Sequence, residues 1–172
     1  MNISIYLASS VNGLISNRSN VPNWLSQEYG RGFVEICQRT KAVIMGRTTY
    51  DILSPDHLPL QQDGTLLVRT HGTSATPAQP NVVFTDGPPP GIVELLTARG
   101  HDEAVIIGGT QAVSDFVKAG LVNQMYLVVE PVLFGAGLPI LRDVDVDHQL
   151  TLLDVRKLGP NTVQLHYRLL HQ

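Results

Sequence analysis

Two segments of this sequence share one pattern: Val43-Ile44-Met45-Gly46-Arg47-Thr48-Thr49-Tyr50 and Val105-Ile106-Ile107-Gly108-Gly109-Thr110-Gln111. Each is a short apolar run that ends in glycine and a helix start. Runs of this kind read as strands buried on both faces, the kind found in parallel sheets covered by helices. Glycine lets the backbone come close to a ligand, and the first N–H groups of the following helix stand unpaired, so each junction suits an anionic group such as phosphate. Two junctions together point to a nucleotide with several phosphates; either one alone reads equally well as an ordinary strand–helix turn. Neither matches the G-x-G-x-x-G fingerprint or the G-x-x-x-x-G-K-[ST] loop.

The rest of the chain extends the alternation. Ile3 to Ala8 reads as a strand, and Ser9 to Asn23, with its serines, asparagines, Gly13 and Pro22, as a long irregular loop. Tyr29, Phe33, Ile36 and Cys37 recur at helical spacing, which predicts a helix over Ser26 to Cys37. Lys41 to Met45, Leu66 to Val68 and Val82 to Phe84 are short buried-strand patterns, and Thr70 to Pro80 reads as a surface connection. Gly87-Pro88-Pro89-Pro90-Gly91 is expected to stop regular structure before a helix begins at Ile92 and ends near Gly100. A third helix runs from Thr110, as N-cap, to Gly120. Gln124 to Leu133 reads as a strand interrupted by Pro131, and Leu150 to Leu158 with Thr162 to Leu169 as a hairpin around Gly159-Pro160-Asn161. The sum is an α/β fold: a mainly parallel central sheet flanked by helices, with an antiparallel C-terminal hairpin.

With 172 residues, 43% apolar and 16% charged, the expectation is one domain over residues 1–172 with a single core. A net charge of −3 and scattered basic residues argue against nucleic acid or anionic membranes as partners. Cys37 is the only cysteine, so no internal disulfide and no multi-cysteine zinc site can form. The histidines at 57, 71, 101, 148, 166 and 171 show no metal-ligand spacing. Met1 to Ile15 has neither a basic start nor a long apolar run, so the expected location is the cytoplasm.

Met45-Gly46-Arg47-Thr48-Thr49-Tyr50 and the later Gly108-Gly109 pair resemble the dihydrofolate reductase superfamily. Ala8-Ser9-Ser10-Val11-Asn12-Gly13-Leu14-Ile15 and Glu130-Pro131-Val132-Leu133-Phe134-Gly135-Ala136-Gly137-Leu138-Pro139-Ile140-Leu141 bring the likeness closer to the reductase domain of the bifunctional riboflavin-biosynthesis deaminase/reductases. The zinc signature of the fused deaminase is missing from the sequence. The resemblance implies a dihydrofolate reductase-like fold and NADPH held across the carboxyl ends of the central strands. Ala8, Gly13, Gly46, Arg47, Thr48, Arg69, Thr70, Gly108, Gly109, Thr110 and Gln111 would contact that cofactor. Arg47, with Arg69 and Thr70, would meet the adenosine 2′-phosphate and favour NADP over NAD.

The same resemblance implies a hydride transferred to a C=N or carbonyl group of a small molecule, either a pyrimidine ribosyl phosphate or a pterin. Reduction of C=N also needs a proton at nitrogen. Glu28, following Pro22, Trp24 and Leu25, is the candidate acid, although a glutamate in a first helical turn is also favoured by the helix dipole alone. Asn12 stands where relatives usually carry aspartate, which keeps the turn and loses the charge. Arg18, Arg31, Arg39 and Arg142 are the candidates to meet a substrate phosphate. A homodimer through the Leu127 to Phe134 segment is also implied, with a monomer's core strand as the other reading. Two further readings stay open: a dihydrofolate reductase, and a nucleotide-binding protein that has lost turnover.

Overall fold

The computed structural model describes residues 1–53, 60, 63–71, 79–145 and 147–170. His57, His171 and the 72–78 part of the connection after Thr70 lie outside the described residues. In chain order the elements are β1 (Asn2–Ser9), β2 (Leu14–Asn17), α1 (Gln27–Thr40), β3 (Ala42–Gly46), α2 (Arg47–Leu53), β4 (Thr65–Arg69) and β5 (Val82–Thr85). They continue with α3 (Pro89–Ala98), β6 (Glu103–Ile106), α4 (Thr110–Lys118), β7 (Gln124–Val129), β8 (Gly137–Pro139), β9 (Leu150–Lys157) and β10 (Val163–Leu169).

Eight strands form one sheet in the order β5-β4-β3-β6-β1-β7-β10-β9. Pairing is parallel from β5 through β7, and β10 and β9 close the far side antiparallel. Side chains alternate across each central strand. Ile3, Ile5, Leu7, Ile44, Leu67 and Ile106 pack beneath α3 and α4 with Ile92, Leu96, Val113 and Phe116. Tyr6, Val43, Met45, Leu66, Val68 and Val105 face α1 and its Tyr29, Ile36 and Cys37. Both faces being covered explains why these strands read as continuous apolar runs.

Helix α1 contains two poor helix formers, Gly30 and Gly32, and the second has a steric reason: a Cβ at position 32 would collide with the Tyr6 hydroxyl, which donates to the Tyr29 carbonyl at 3.0 Å. The Ser26 hydroxyl accepts from the Tyr29 N–H at 3.1 Å and caps the helix. Beneath it the Cys37 thiol is fully buried, and desolvation pushes its pKa up to about 12. Iodoacetamide at mildly alkaline pH is therefore expected to modify Cys37 only in denaturant, as read by mass spectrometry. Equal labelling of the native and unfolded chain would show that the thiol is accessible.

Several boundaries differ from the sequence expectation. Helix α3 begins at Pro89 rather than after the proline run, because proline in a first helical turn gives up no bonded N–H and already has a helical φ. Gly109, not Thr110, is the N-cap of α4; the Thr110 hydroxyl instead donates to the Pro139 carbonyl at 2.6 Å. Strand β7 ends at Val129, one residue before Glu130-Pro131. Part of the loop expected over Ser9 to Asn23 is a strand, β2, paired antiparallel with β8 in a separate ribbon. Glycine at 137 permits that pairing, since a Cβ there would overlap the Ser16 carbonyl. Among the described residues no helix is long and apolar enough to cross a membrane.

Candidate functional site

The two glycine junctions meet. The Gly46 N–H donates to the Gly108 carbonyl at 2.9 Å, and the Ile107 N–H donates to the Ile44 carbonyl at 3.0 Å. Gly108 sits at φ +129°, a region side chains disfavour, and an added Cβ would lie 3.3 Å from the Thr49 hydroxyl. The Gly108–Gly109 peptide is cis. Beside this crossing lies a cavity of about 610 Å³, within the range of small-molecule sites.

Every expected cofactor residue except Gly13 lines that cavity: Ala8, Gly46, Arg47, Thr48, Arg69, Thr70, Gly108, Gly109, Thr110 and Gln111. They arrive from the carboxyl ends of neighbouring parallel strands, the usual ligand position in such sheets. Arg69, at the end of β4, has a side chain only 11% exposed. Its Nη1 is paired with Asp115 on α4, which also accepts from Gln111 Nε2 at 2.8 Å. Among the described residues the buried Arg69 Nε has no partner. Arg47 points its Nε at both oxygens of Asp51, at 2.7 and 3.0 Å, and lies over the Phe84 ring with its guanidinium carbon 5.4 Å from the centroid.

The opposite wall comes from the segment before α1 and from α1 itself: Val21, Trp24, Leu25, Ser26, Tyr29 and Phe33, with Ile52 and Leu53 from α2. The Ser26 N–H and hydroxyl both donate to Glu130 Oε1, at 3.1 and 2.7 Å, and the Thr162 hydroxyl donates to Glu130 Oε2 at 3.5 Å. Glu130 itself is 1% exposed. Sequence reasoning missed both Glu130 and Asp115. A glutamate before proline reads as a strand end at the surface, whereas the spacing of Gln111 and Asp115 on one helix face was a usable signal.

Of the remaining candidates only Arg142 is among the described residues lining the cavity; Glu28, Asn12, Gly13, Arg18, Arg31 and Arg39 are not. Glu28 forms an ion pair with Arg31 at 3.7 Å and packs against Gly159 in the β9–β10 turn. The inward stripe of α1 is Ser26, Tyr29, Gly30 and Phe33, and position 28 is turned away from it. Gly13 is in a turn at φ +83°. Asn12 bridges two loops: Nδ2 donates to the Phe134 carbonyl at 2.7 Å, while Oδ1 accepts from the Phe134 N–H at 3.2 Å and from the Ser10 hydroxyl at 2.8 Å. A carboxylate could make only the accepting half of that bridge, so the amide has its own structural work at this position. Of the arginines suited to a substrate phosphate, Arg142 lines the cavity. Arg31 faces Glu28, Arg39 lies 3.8 Å from Glu103, and Arg18 is exposed beyond β2.

Comparison with known proteins gives the family and the fold. The family profile described as the RibD C-terminal domain matches residues 2–164. Protein YwjB of Bacillus subtilis is 28% identical over 169 residues, covering 95% of each chain. A pyrimidine reductase-like protein from Corynebacterium diphtheriae superposes with TM-score 0.80 at 13% identity, covering 99% of this chain and 92% of that one. The Thermotoga maritima diaminohydroxyphosphoribosylaminopyrimidine deaminase/5-amino-6-(5-phosphoribosylamino)uracil reductase superposes with TM-score 0.78 at 18% identity, covering 98% of this chain and 56% of its own. The fold is that of the dihydrofolate reductase-like reductases, with the mainly parallel sheet and antiparallel hairpin expected from the sequence.

Proposed function

We propose that this chain, which belongs to the RibD C-terminal domain family, is an NADPH-dependent reductase that delivers hydride to a carbonyl or C=N carbon of a small ring-bearing substrate. The observation that carries the reading is the contact between Gly46 and Gly108 beside a cavity edged by Arg47 and Arg69. Residues and cofactor fit each other. Arg69 keeps a buried Nε without a partner among the described residues, and glycine at 46, 108 and 109 leaves the crossing bare of side chains. Gly108, Gly109 and the first turn of α4 would hold the pyrophosphate. Arg47 and Arg69 would hold the 2′-phosphate. When bound, the reduced nicotinamide supplies the hydride and its electron pair.

Among the described residues no carboxyl side chain lines the cavity. His71 lines the cavity, so this reading assigns the proton to His71 or to a water beside it, and Glu28 pairs with Arg31 at the helix start. The first substrates to try are the phosphoribosylaminouracil named for the Thermotoga relative and dihydrofolate.

Titration with NADPH and NADH, followed by nicotinamide fluorescence, tests the reading. NADPH is expected to bind more tightly. Arg47→Ala is expected to weaken NADPH binding by only about two- to fivefold, because that guanidinium is solvent-screened and shared with Asp51. Absence of binding by either nucleotide would sink the proposal.

A further inference from the structure

The cavity wall beside α1 includes Trp24, a half-buried ring that meets Phe134 edge-on, with 5.1 Å between centroids and 89° between planes. Phe134 is not among the described residues lining the cavity, so it bears on the cavity through Trp24. What holds Phe134 is Asn12. The amide pairs with both backbone groups of that one residue, Nδ2 donating to the carbonyl at 2.7 Å and Oδ1 accepting from the N–H at 3.2 Å, as a neighbouring antiparallel strand would. The Ser10 hydroxyl, on a residue only 1% exposed, donates to the same Oδ1 at 2.8 Å and accepts from the Leu14 N–H at 3.0 Å, which fixes the way the amide faces. Alongside, the Val11 N–H donates to the Val132 carbonyl at 2.9 Å, so the two loops run as a short ladder. The loop that carries Phe134 leads into β8, whose Leu138 also lines the cavity.

We propose that Asn12 is a positioning residue for the ring-facing wall: its amide clamps Phe134, and Phe134 holds Trp24 in place for the ligand's ring. The clamp stands apart from the reductase reading, while its effect on turnover rests on that reading. An edge-to-face aromatic pair keeps its geometry only while both rings are held. A wall already in place before the ligand arrives spares the cost of ordering it on binding. Aspartate cannot replace asparagine in this clamp. A carboxylate still accepts from the Ser10 hydroxyl and the Phe134 N–H, but its second oxygen faces the Phe134 carbonyl, acceptor against acceptor, and pushes the loops apart. Asn12 is not among the described residues lining the cavity, so its loss acts on how well the ring is held: KM moves and kcat does not.

Trp24 is the chain's only tryptophan, so its fluorescence reads the clamp with no ligand present. Acrylamide quenching is measured in the wild type, Asn12→Asp, Asn12→Ala, Phe134→Leu and the double variant of Asn12→Ala with Phe134→Leu, each melting within about 5 °C of the wild type. Asn12→Ser stands in for an Asn12 variant that melts lower. Quenching is expected to rise about twofold in each single variant, and the double variant to exceed the larger single effect by no more than about a fifth, as for two residues acting through one contact. Turnover is then read at saturating NADPH with dihydrofolate and with the phosphoribosylaminouracil. For whichever is reduced, Asn12→Asp is expected to raise KM about three- to tenfold with kcat within about twofold of the wild type. Wild-type quenching in Asn12→Asp, additive effects in the double variant, or a fall in kcat at unchanged KM overturns the clamp. Quenching as expected, with neither compound reduced by the wild type, supports the clamp and counts against the reductase reading alone.

Discussion

Replacing Arg69 with alanine is expected to weaken NADPH binding by about 10- to 100-fold while changing NADH binding by no more than about threefold. The side chain is nearly buried at the end of β4, so its bonds are less screened than those of an exposed arginine. One nitrogen is paired with Asp115, and Nε has no partner among the described residues. A phosphate arriving at that guanidinium meets a donor already held in place, and charge-assisted bonds of this kind are worth about 1.5–3 kcal/mol. Only NADPH carries the 2′-phosphate. Fluorescence titration of both nucleotides separates two roles: equal losses would mean that Arg69 shapes the wall and reads no phosphate. Arg69→Lys should recover little, since ammonium cannot copy the planar fork held by Asp115.

Glu130→Ala is expected to cost about 3 kcal/mol of stability and to lower the melting temperature by about 6–12 °C. The carboxylate is buried between the start of α1 and the turn before β10, where it accepts from the Ser26 N–H, the Ser26 hydroxyl and the Thr162 hydroxyl. Alanine leaves those donors without their acceptor. Glu130→Gln keeps an acceptor oxygen and should lose about half as much. Because Ser26 caps α1 and also lines the cavity, the alanine variant should bind ring ligands more weakly below its melting point. A melting curve identical to the wild type would show that the cap stands without Glu130.

The parts of the fold legible in the sequence were those governed by local pattern. The central strands β3, β4 and β6 are continuous apolar runs because both faces are covered, and α1 shows its buried stripe of Tyr29, Ile36 and Cys37. The β2–β8 ribbon was not legible: it joins Leu14 and Pro139 across most of the chain, and short polar segments carry no mark of so distant a partner. At the site, the glycine junctions could be read because backbone needs leave traces in the sequence, whereas Arg69 was reached only through the family resemblance. Glu130 could not be read, because its burial is decided by Ser26 and Thr162, far away in sequence. The placement of Glu28 toward Gly159 likewise depends on the rotation of α1 against the β9–β10 hairpin.

The sheet order also sets a timetable. Strand β1 lies between β6 and β7, with Asn2 opposite Glu103 and Ser4 opposite Gln124. During synthesis, at about 5–20 residues per second, β1 emerges early and waits several seconds for both neighbours. Its Ile3, Ile5 and Leu7 face α3 and α4, not the early helix α1, so they have neither sheet nor helix to pack against in that interval. Truncations ending before β7 should accumulate as aggregates, and nucleation should depend on contacts between distant parts of the chain, which makes folding slow for a domain of this size.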